Sequence, residues 1–315
     1  MEGTVAITDY GWYEFLENQS NLDEVNFWTP SAYWGFRAEV GSPFFFKLKA
    51  KYNNAVCGVA FFSRYVRLPD WLAWDSFQLK NGTPSLEAMK EKIGAIRKRI
   101  DYHSNRAINE IGCILLAQPV FFKENLWIKG PKDWPPANLR NKKYNLSHGE
   151  GLRIWNECLE RIPIGSTLVK SENILEVDEP IERYGHPQLI QPRIGQGIFR
   201  IAVLEAYNRA CAITKEHSLP ALDASHIKPF GKNGPNLISN GLLLRADLHK
   251  LFDQGYITLT TDFRVEVSPR LKLDFDNGHS YYPFHGSKIS TPNLSQDAPQ
   301  KDFILWHNEN VYLNS

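Results

Sequence analysis

The chain of 315 residues has only four cysteines, Cys57, Cys113, Cys158 and Cys211, and no two of them stand close together. Paired Cys-x-x-Cys knuckles are therefore missing, and with them the usual ligands of a structural zinc. Each cysteine sits among apolar neighbours, a setting that predicts buried free thiols in a reducing compartment. A surplus of one charge is missing too, since 36 Lys and Arg stand against 35 Asp and Glu for a formal net charge of +1. No global basic field announces a polyanionic partner, so contact with nucleic acid would have to come from local patches. Nor is there a membrane-length apolar run, and the opening MEGTVAITDYGWYEF lacks the basic start and apolar stretch of a secretory signal. The expectation is a soluble, cytoplasmic protein with no membrane partner.

What is present is length, and aromatic weight at one end. The chain is long enough to bury more than one core, and seven of its nine tryptophans precede Pro135. Strand-like runs occur at Val25–Trp28, Pro43–Ala50, Ala55–Val66 and Ile111–Phe122, and helical patterns at Leu68–Leu79 and Ser85–Ile100. Few strands broken by one or two helices predict a small, strongly curved mixed sheet or barrel over residues 1–168. From Val169 to Gln196 the chain is polar and carries Pro180, Pro187, Pro192 and an acidic patch from Glu172 to Glu182, which predicts a linker over 169–190. A second domain, 191–315, opens with a helix from Gly195 to about Tyr207 and includes a late hairpin at Tyr256–Leu259 and Arg264–Val267. The class is α+β.

The densest chemistry lies between Cys211 and Thr258. The segment Cys211–Leu222 predicts one strand of a hairpin, and Ser225-His226-Ile227 starts the other before the turn-forming stretch Pro229–Pro235. Leu243, Leu244, Leu248, Leu251 and Phe252 recur at helical spacing and predict a helix over Leu242–Phe252, with Asn240 placed to cap its free amides. A hairpin packed on that helix would turn His226 towards His249, with Asp253 one turn further along the same face. Hydrolysis of a phosphodiester needs a base for water and a cation for the charge that develops on phosphate. His226 suits the base. His249 and Asp253 offer a nitrogen and an oxygen ligand to one divalent ion, and Asn240 suits the task of holding the loop that orients His226. The other seven histidines, His103, His148, His186, His217, His279, His285 and His307, lack such partners and read as structural.

Local cations that could meet phosphate are Lys90, Lys92, Arg97, Lys98 and Arg99 on one predicted helix, Arg140, Lys142 and Lys143 in a later loop, and Arg193, Gln196 and Arg200 around the helix that follows the linker. Each group reads equally well as solvated surface. In the front half, Trp28, Trp34 and Trp74 could supply flat walls to an extruded base, and Asn26, Ser31, Asp75 and Asn81 could contact its edge. Core packing is the competing reading of the same tryptophans.

Ala224-Ser225-His226-Ile227-Lys228-Pro229 and Leu248-His249-Lys250-Leu251-Phe252-Asp253 resemble the A-x-H-I-x-P and L-H-x-L-F-D motifs of the HNH nuclease family, the ββα-metal fold. The resemblance implies His226 as general base, Asn240 as the structural asparagine and His249 as a ligand of one divalent metal, Mg or Mn first, with Zn, Ni or Co as alternatives. Many members place Asp immediately before the first histidine as a second ligand. Ser225 occupies that position here, so the metal shell beside His249 would be completed among Ser225, Asp253 and Asp223. The front-half segments NFWTPS, FFFKLKA, GVAFFSRYVRLPDWLAWDSF, KNGTPSLEAM and QPVFFKENLWI look like the EVE-type, PUA-superfamily domain that precedes an HNH nuclease in some bacterial proteins. Those proteins resemble modification-dependent restriction enzymes. That resemblance implies a partner of double-stranded DNA carrying 5-methylcytosine or 5-hydroxymethylcytosine, read by base flipping and then cut. One such site cuts one strand, so a double-strand break calls for a homodimer or two visits. The alternatives are a general or structure-specific nuclease, and a non-catalytic reader of DNA or RNA.

Overall fold

The computed structural model describes residues 1–32, 35–99, 110–135, 139–162, 194–276 and 278–314. Contacts divide the chain into two compact units, Met1–Gly195 and Gln196–Ser315. The linker expected over 169–190 lies outside the described residues. The chain is α+β.

The first unit runs β1 (Glu2–Ile7), α1 (Tyr10–Glu17), β2 (Glu24–Thr29), β3 (Pro43–Lys47), β4 (Val56–Pro69), α2 (Asp70–Phe77), α3 (Leu86–Arg99), β5 (Glu110–Phe121), β6 (Asn141–Asn145) and α4 (Gly149–Arg161). One six-stranded sheet has the order β2-β5-β4-β3-β1-β6. It is mixed, because β1 and β3 are parallel while the other neighbours are antiparallel. Register shifts at Phe46/Lys47 and twice along β4 against β5 put bulges into its centre, which bend a sheet. The sheet is open, with β2 and β6 at its edges. All four expected strands are here; β1, α1, β6 and α4 are additional.

Three consecutive phenylalanines show why the sheet is buried on both sides. Side chains alternate across a strand. Phe45 joins Val5, Val59 and Phe61 under Ile154, Trp155 and Cys158 of α4. Phe44 and Phe46 point the other way and join Ala6, Ala60 and Phe62 under Trp12, Tyr13 and Leu16 of α1. Asp9 starts α1 by accepting the Trp12 amide at 3.2 Å, the usual role of an N-cap carboxylate. Helix α4 lies so close to β6 that a methyl group on Gly151 would meet the Asn145 carbonyl oxygen at 2.1 Å. The four cysteines are buried and free. Burial pushes the thiols of Cys57 and Cys158 up and that of Cys113 to about 12, so these three stay protonated.

The second unit runs α5 (Gln196–Ala206), β7 (Leu222–His226), β8 (Gly241–Arg245), α6 (Ala246–Asp253), β9 (Ile257–Leu259), β10 (Val265–Val267), α7 (Arg270–Phe275) and α8 (Lys301–Asn310). The hairpin differs from the expected one. Of the expected strand Cys211–Leu222 only Leu222 is in a strand, and a short 3-10 turn at Leu219–Ala221 precedes it. The first strand is β7, and its partner β8 is the segment expected to open the helix, paired from His226↔Gly241 to Leu222↔Arg245. Gly-Leu-Leu-Leu carries no polar residue to separate a 2-residue from a 3.6-residue period, so its neighbours decide. A side chain at Gly241 would meet Val203 at 2.5 Å and Phe199 at 3.1 Å, which lets β8 lie directly on α5. The helix proper then starts at Ala246 and buries Leu248 and Phe252. The β9–β10 hairpin falls where expected.

Phe45→Ala empties a site of 0 % exposure between the sheet and α4. Truncations of this kind cost about 3–5 kcal/mol. Urea unfolding should show a loss in that range, whereas a loss below about 1 kcal/mol would mean that this side of the sheet does not carry the unit.

Candidate active site

The loop 227–240 leaves β7 at His226 and returns to β8 at Gly241. It is closed by one side chain. Asn240, 0 % exposed, donates through Nδ2 to the carbonyls of Lys228 (3.0 Å) and Pro235 (2.9 Å), and its Oδ1 accepts the Lys228 amide at 2.9 Å. Its own carbonyl accepts the Ile227 amide at 2.9 Å. Every polar atom of the amide is thus spent on loop backbone, and Asn240 does not cap the helix, which begins only after β8. Gly234 is required in the same loop, since a Cβ there would lie 1.8 Å from the Lys228 carbonyl oxygen.

His226, at the end of β7, stacks on Phe199 of α5 with ring centroids 3.9 Å apart and planes at 14°. Its Nε2 lies 2.9 Å from Asn236 Oδ1. An oxygen acceptor there places the ring proton on Nε2 and leaves Nδ1 as the basic atom. Burial holds its pKa below the ordinary value, against the opposing effects of Asn236 and Asp253, so the ring is neutral at pH 7. His249, on α6, lies between two carboxylates: Nδ1 is 3.3 Å from Asp223 Oδ2 and Nε2 is 3.2 Å from Asp253 Oδ2. Burial pulls its pKa down, but hydrogen bonds and charge from Asp253 and then Asp223 outweigh it, and the net shift is upward. Neighbouring imidazoles pushed in opposite directions suit different tasks.

Both histidines and Asp253 line one cleft of about 360 Å³, whose walls also include Pro229, Phe230 and His307. Ser225 is absent from this wall. It is fully buried, with Oγ 3.5 Å from the His226 carbonyl, because alternation along β7 turns it away from the side that carries His226. Asp223 shares the Ser225 side of β7 and is not part of the cleft wall, but its Oδ2 still lies 3.3 Å from His249 Nδ1. One imidazole and two carboxylates form a nitrogen and oxygen donor set of the kind divalent ions take. They stand at hydrogen-bonding distance from one another, and among the described residues no three His, Cys, Asp or Glu groups form a ready-made metal cage.

Residues 211–260 match the family model for HNH endonuclease. This segment is an HNH endonuclease domain. It contains Asp223, His226, Asn240, His249 and Asp253, and β7, β8 and α6 are its hairpin and helix. No curated protein matches the chain. Among solved structures, the chain is similar to ASCH from Zymomonas mobilis, at 11% identity over 49% of this chain and 94% of that one, with a TM-score of 0.31. It is also similar to a modification dependent TagI restriction endonuclease, at 12% identity over 98% of this chain and 82% of that one, with a TM-score of 0.30. No helix among the described residues is long and apolar enough to cross a membrane.

Three residues around the HNH site escaped the sequence reading. Asn236 and Phe199 fix the His226 ring, and neither spacing nor periodicity marks them. His307 of α8, read as merely structural, packs on Phe252 with centroids 3.9 Å apart and forms part of the cleft wall. Its Nδ1 is 2.8 Å from Thr258 Oγ1 and its Nε2 3.0 Å from the Phe252 carbonyl.

Among the described residues, several of those expected to build a base pocket bond internally. Asn26 is fully buried and donates to Asn81 Oδ1 at 2.9 Å, and Trp28 Nε1 donates to the Asn81 carbonyl at 2.9 Å. Asn81 in turn holds the carbonyls of Ala73 and Gln78. Asn26 and Trp28 therefore bind β2 to the turn after α2 rather than present an edge to a ligand. Ser31 is buried, Trp74 is partly exposed, Asp75 is exposed, and Trp34 lies outside the described residues. A cavity of about 60 Å³ in this unit is lined by Glu2, Thr4, Glu39, Ser42 and Lys143, none of that set, and is far below the roughly 300 Å³ of a small ligand site.

The expected phosphate contacts also divide. Arg97 donates to the carbonyls of Pro30 and Glu110, both at 2.8 Å, and so ties α3 to the ends of two strands. Lys142 pairs with Asp133 at 2.6 Å and Lys143 with Glu2 at 3.3 Å. Lys98 is exposed on the last turn of α3, Gln196 is exposed at the start of α5, Arg200 is partly buried on the same helix, and Arg193 lies outside the described residues.

Asn240→Asp turns a carboxylate oxygen towards two carbonyl oxygens. A loss of at least about 2 kcal/mol in urea unfolding is expected, together with lower nuclease activity; unchanged values of both would deny the loop-closing role. His307 gives a pH test. Burial lowers its pKa from 6.5 to about 4, so the unfolded chain binds the proton first. Its contribution is complete above pH 6.5 and falls away as pH drops to about 4, by on the order of 3 kcal/mol. Stability at pH 7 and pH 4.5, compared between wild type and His307→Gln, should show a smaller drop in the variant. Equal drops would contradict this assignment.

Proposed function

We propose that the protein is a metal-dependent endonuclease of double-stranded DNA, in which the HNH domain cuts and the first unit reads cytosine carrying a 5-methyl or 5-hydroxymethyl group. The observation that carries the cutting half is one cleft shared by His226, neutral and with Nδ1 available, His249 and Asp253, with Asp223 on the other ring nitrogen of His249. His226 takes a proton from the attacking water, and the hydrogen bond to Asn236 keeps its ring aimed while it charges. His249 and Asp253 would hold a divalent ion, Mg or Mn first, with Asp223 on the other side of the ring. When bound, such an ion supplies positive charge to the phosphate oxygens and the leaving oxygen. Asn240 acts through the loop, as a positioning residue. Water bonds to phosphorus as the bond to the leaving oxygen breaks; the leaving oxygen takes a proton from solvent water to become a hydroxyl, the other fragment keeps the phosphate, and His226 returns its proton to solvent.

The reading half rests on the front-half sequence resemblance and on the separate folding of the first unit. A modified base would be taken out of the duplex for inspection; of the described members of the expected set, Trp28 and Trp74 are partly exposed and Asp75 is exposed. Cutting both strands would use two copies of the chain. In a bacterial cytoplasm such an enzyme restricts foreign modified DNA. The internal bonds of Asn26 and Trp28 favour a second reading, a nuclease indifferent to modification.

Matched plasmids that are unmodified, 5-methylcytosine-containing or 5-hydroxymethylcytosine-containing, incubated with Mg or Mn, separate these readings. Cutting confined to modified plasmid, and reduced at least about 1,000-fold in His226→Ala, is expected. Equal cutting of all three would retain the nuclease and remove the reader. No cutting with any divalent ion would remove both.

A further inference from the structure

Phe230 stands where an apolar side chain has least reason to be. It is 58 % exposed, yet it borders the cleft that contains His226, His249 and Asp253. It begins a single 3-10 turn, Phe230–Lys232, that is closed from behind. The Pro229 carbonyl accepts the amides of Lys232 (2.9 Å) and Gly234 (3.0 Å), and the Phe230 carbonyl accepts that of Asn233 at 3.0 Å. Asn240 fastens the same loop at Lys228 and Pro235. The ring is therefore displayed on a braced turn. Cations flank it: Lys232 is exposed, and Lys228 Nζ lies 5.5 Å from the centre of the Trp306 ring.

A phosphodiester seated at His226 brings its own nucleotides to this rim, because successive nucleotides of one strand advance only about 3.4 Å along the duplex. An exposed aromatic ring next to them has a flat face to offer a base, and lysines on either side meet the backbone. We propose that Phe230 is a DNA-contacting residue that wedges against the base step flanking the cleaved bond and partly unstacks it, so that the phosphate settles into the cleft. This rests on the nuclease reading above. Leu237 provides an internal control: it is 49 % exposed on the same loop but does not line the cleft.

The test uses the full chain with His226→Ala to prevent cutting, and a duplex carrying 2-aminopurine beside the cut position mapped with wild type. Binding should raise 2-aminopurine fluorescence as the step unstacks. Adding Phe230→Ala should remove the rise and weaken binding on the order of 10-fold, with the melting temperature unchanged because the ring is exposed. Phe230→Trp should keep the rise, and Leu237→Ala should leave it intact. A full rise and unaltered affinity in Phe230→Ala, or equal loss in Leu237→Ala, would overturn the wedge while wild-type cutting still stands. If wild type cuts no DNA, the nuclease reading fails first and the wedge fails with it.

Discussion

The cleft depends on one buried amide. Asn240 spends both hydrogens and its oxygen on backbone atoms at the two ends of a loop that would otherwise be free to open. Three hydrogen bonds from a single buried side chain are hard to replace, since a substitute leaves at least one carbonyl or amide without this partner. Closure of the loop brings Asn236 to His226 and fixes which ring nitrogen is basic. The orientation of the His226 ring is therefore set by Asn240, which does not touch it.

The two histidines differ through what surrounds them. Phe199 covers one face of His226 and burial dominates, so the ring stays neutral. His249 is similarly buried, but Asp223 and Asp253 flank it and reverse the direction. Of the two carboxylates, Asp253 lines the cleft itself and places negative charge there, which is unfavourable for a phosphate arriving alone.

Residue order revealed more of this site than of the fold around it. Motifs at Ala224–Pro229 and Leu248–Asp253 marked His226, His249 and Asp253 because their chemistry is local to short segments. Asn236 and Phe199 reach His226 only after the loop closes and α5 docks, and no periodicity encodes such a meeting. The same limit misplaced the hairpin: Leu242–Leu244 is apolar throughout, and the contact of Gly241 with Val203 and Phe199 makes it a strand. In the first unit, Phe44–Phe46 was legible as a strand, but burial on both faces removes the alternation that would tell which helix covers which side. Asn26 and Trp28 looked like ligand-facing groups because their partner, Asn81, is remote in sequence.

The functional unit is also larger than the segment 211–260 that matches the HNH family. Helix α8 supplies His307, whose ring stacks on Phe252 and whose Nε2 contacts the carbonyl of the same residue. Beyond that helix the chain returns to the turn after α6, where Gly255 adopts a φ of +80° and a Cβ would meet the Val311 carbonyl at 2.1 Å. Leu313 then donates to the Gly255 carbonyl at 3.0 Å. These contacts press on the C-terminal end of α6, the turn that carries Asp253. The spacing between His249 and Asp253 is that of one helical turn of α6, and these contacts hold the end of that helix in place. A chain ending near residue 260 would keep the motif and lose His307 and Val311 from the cleft wall.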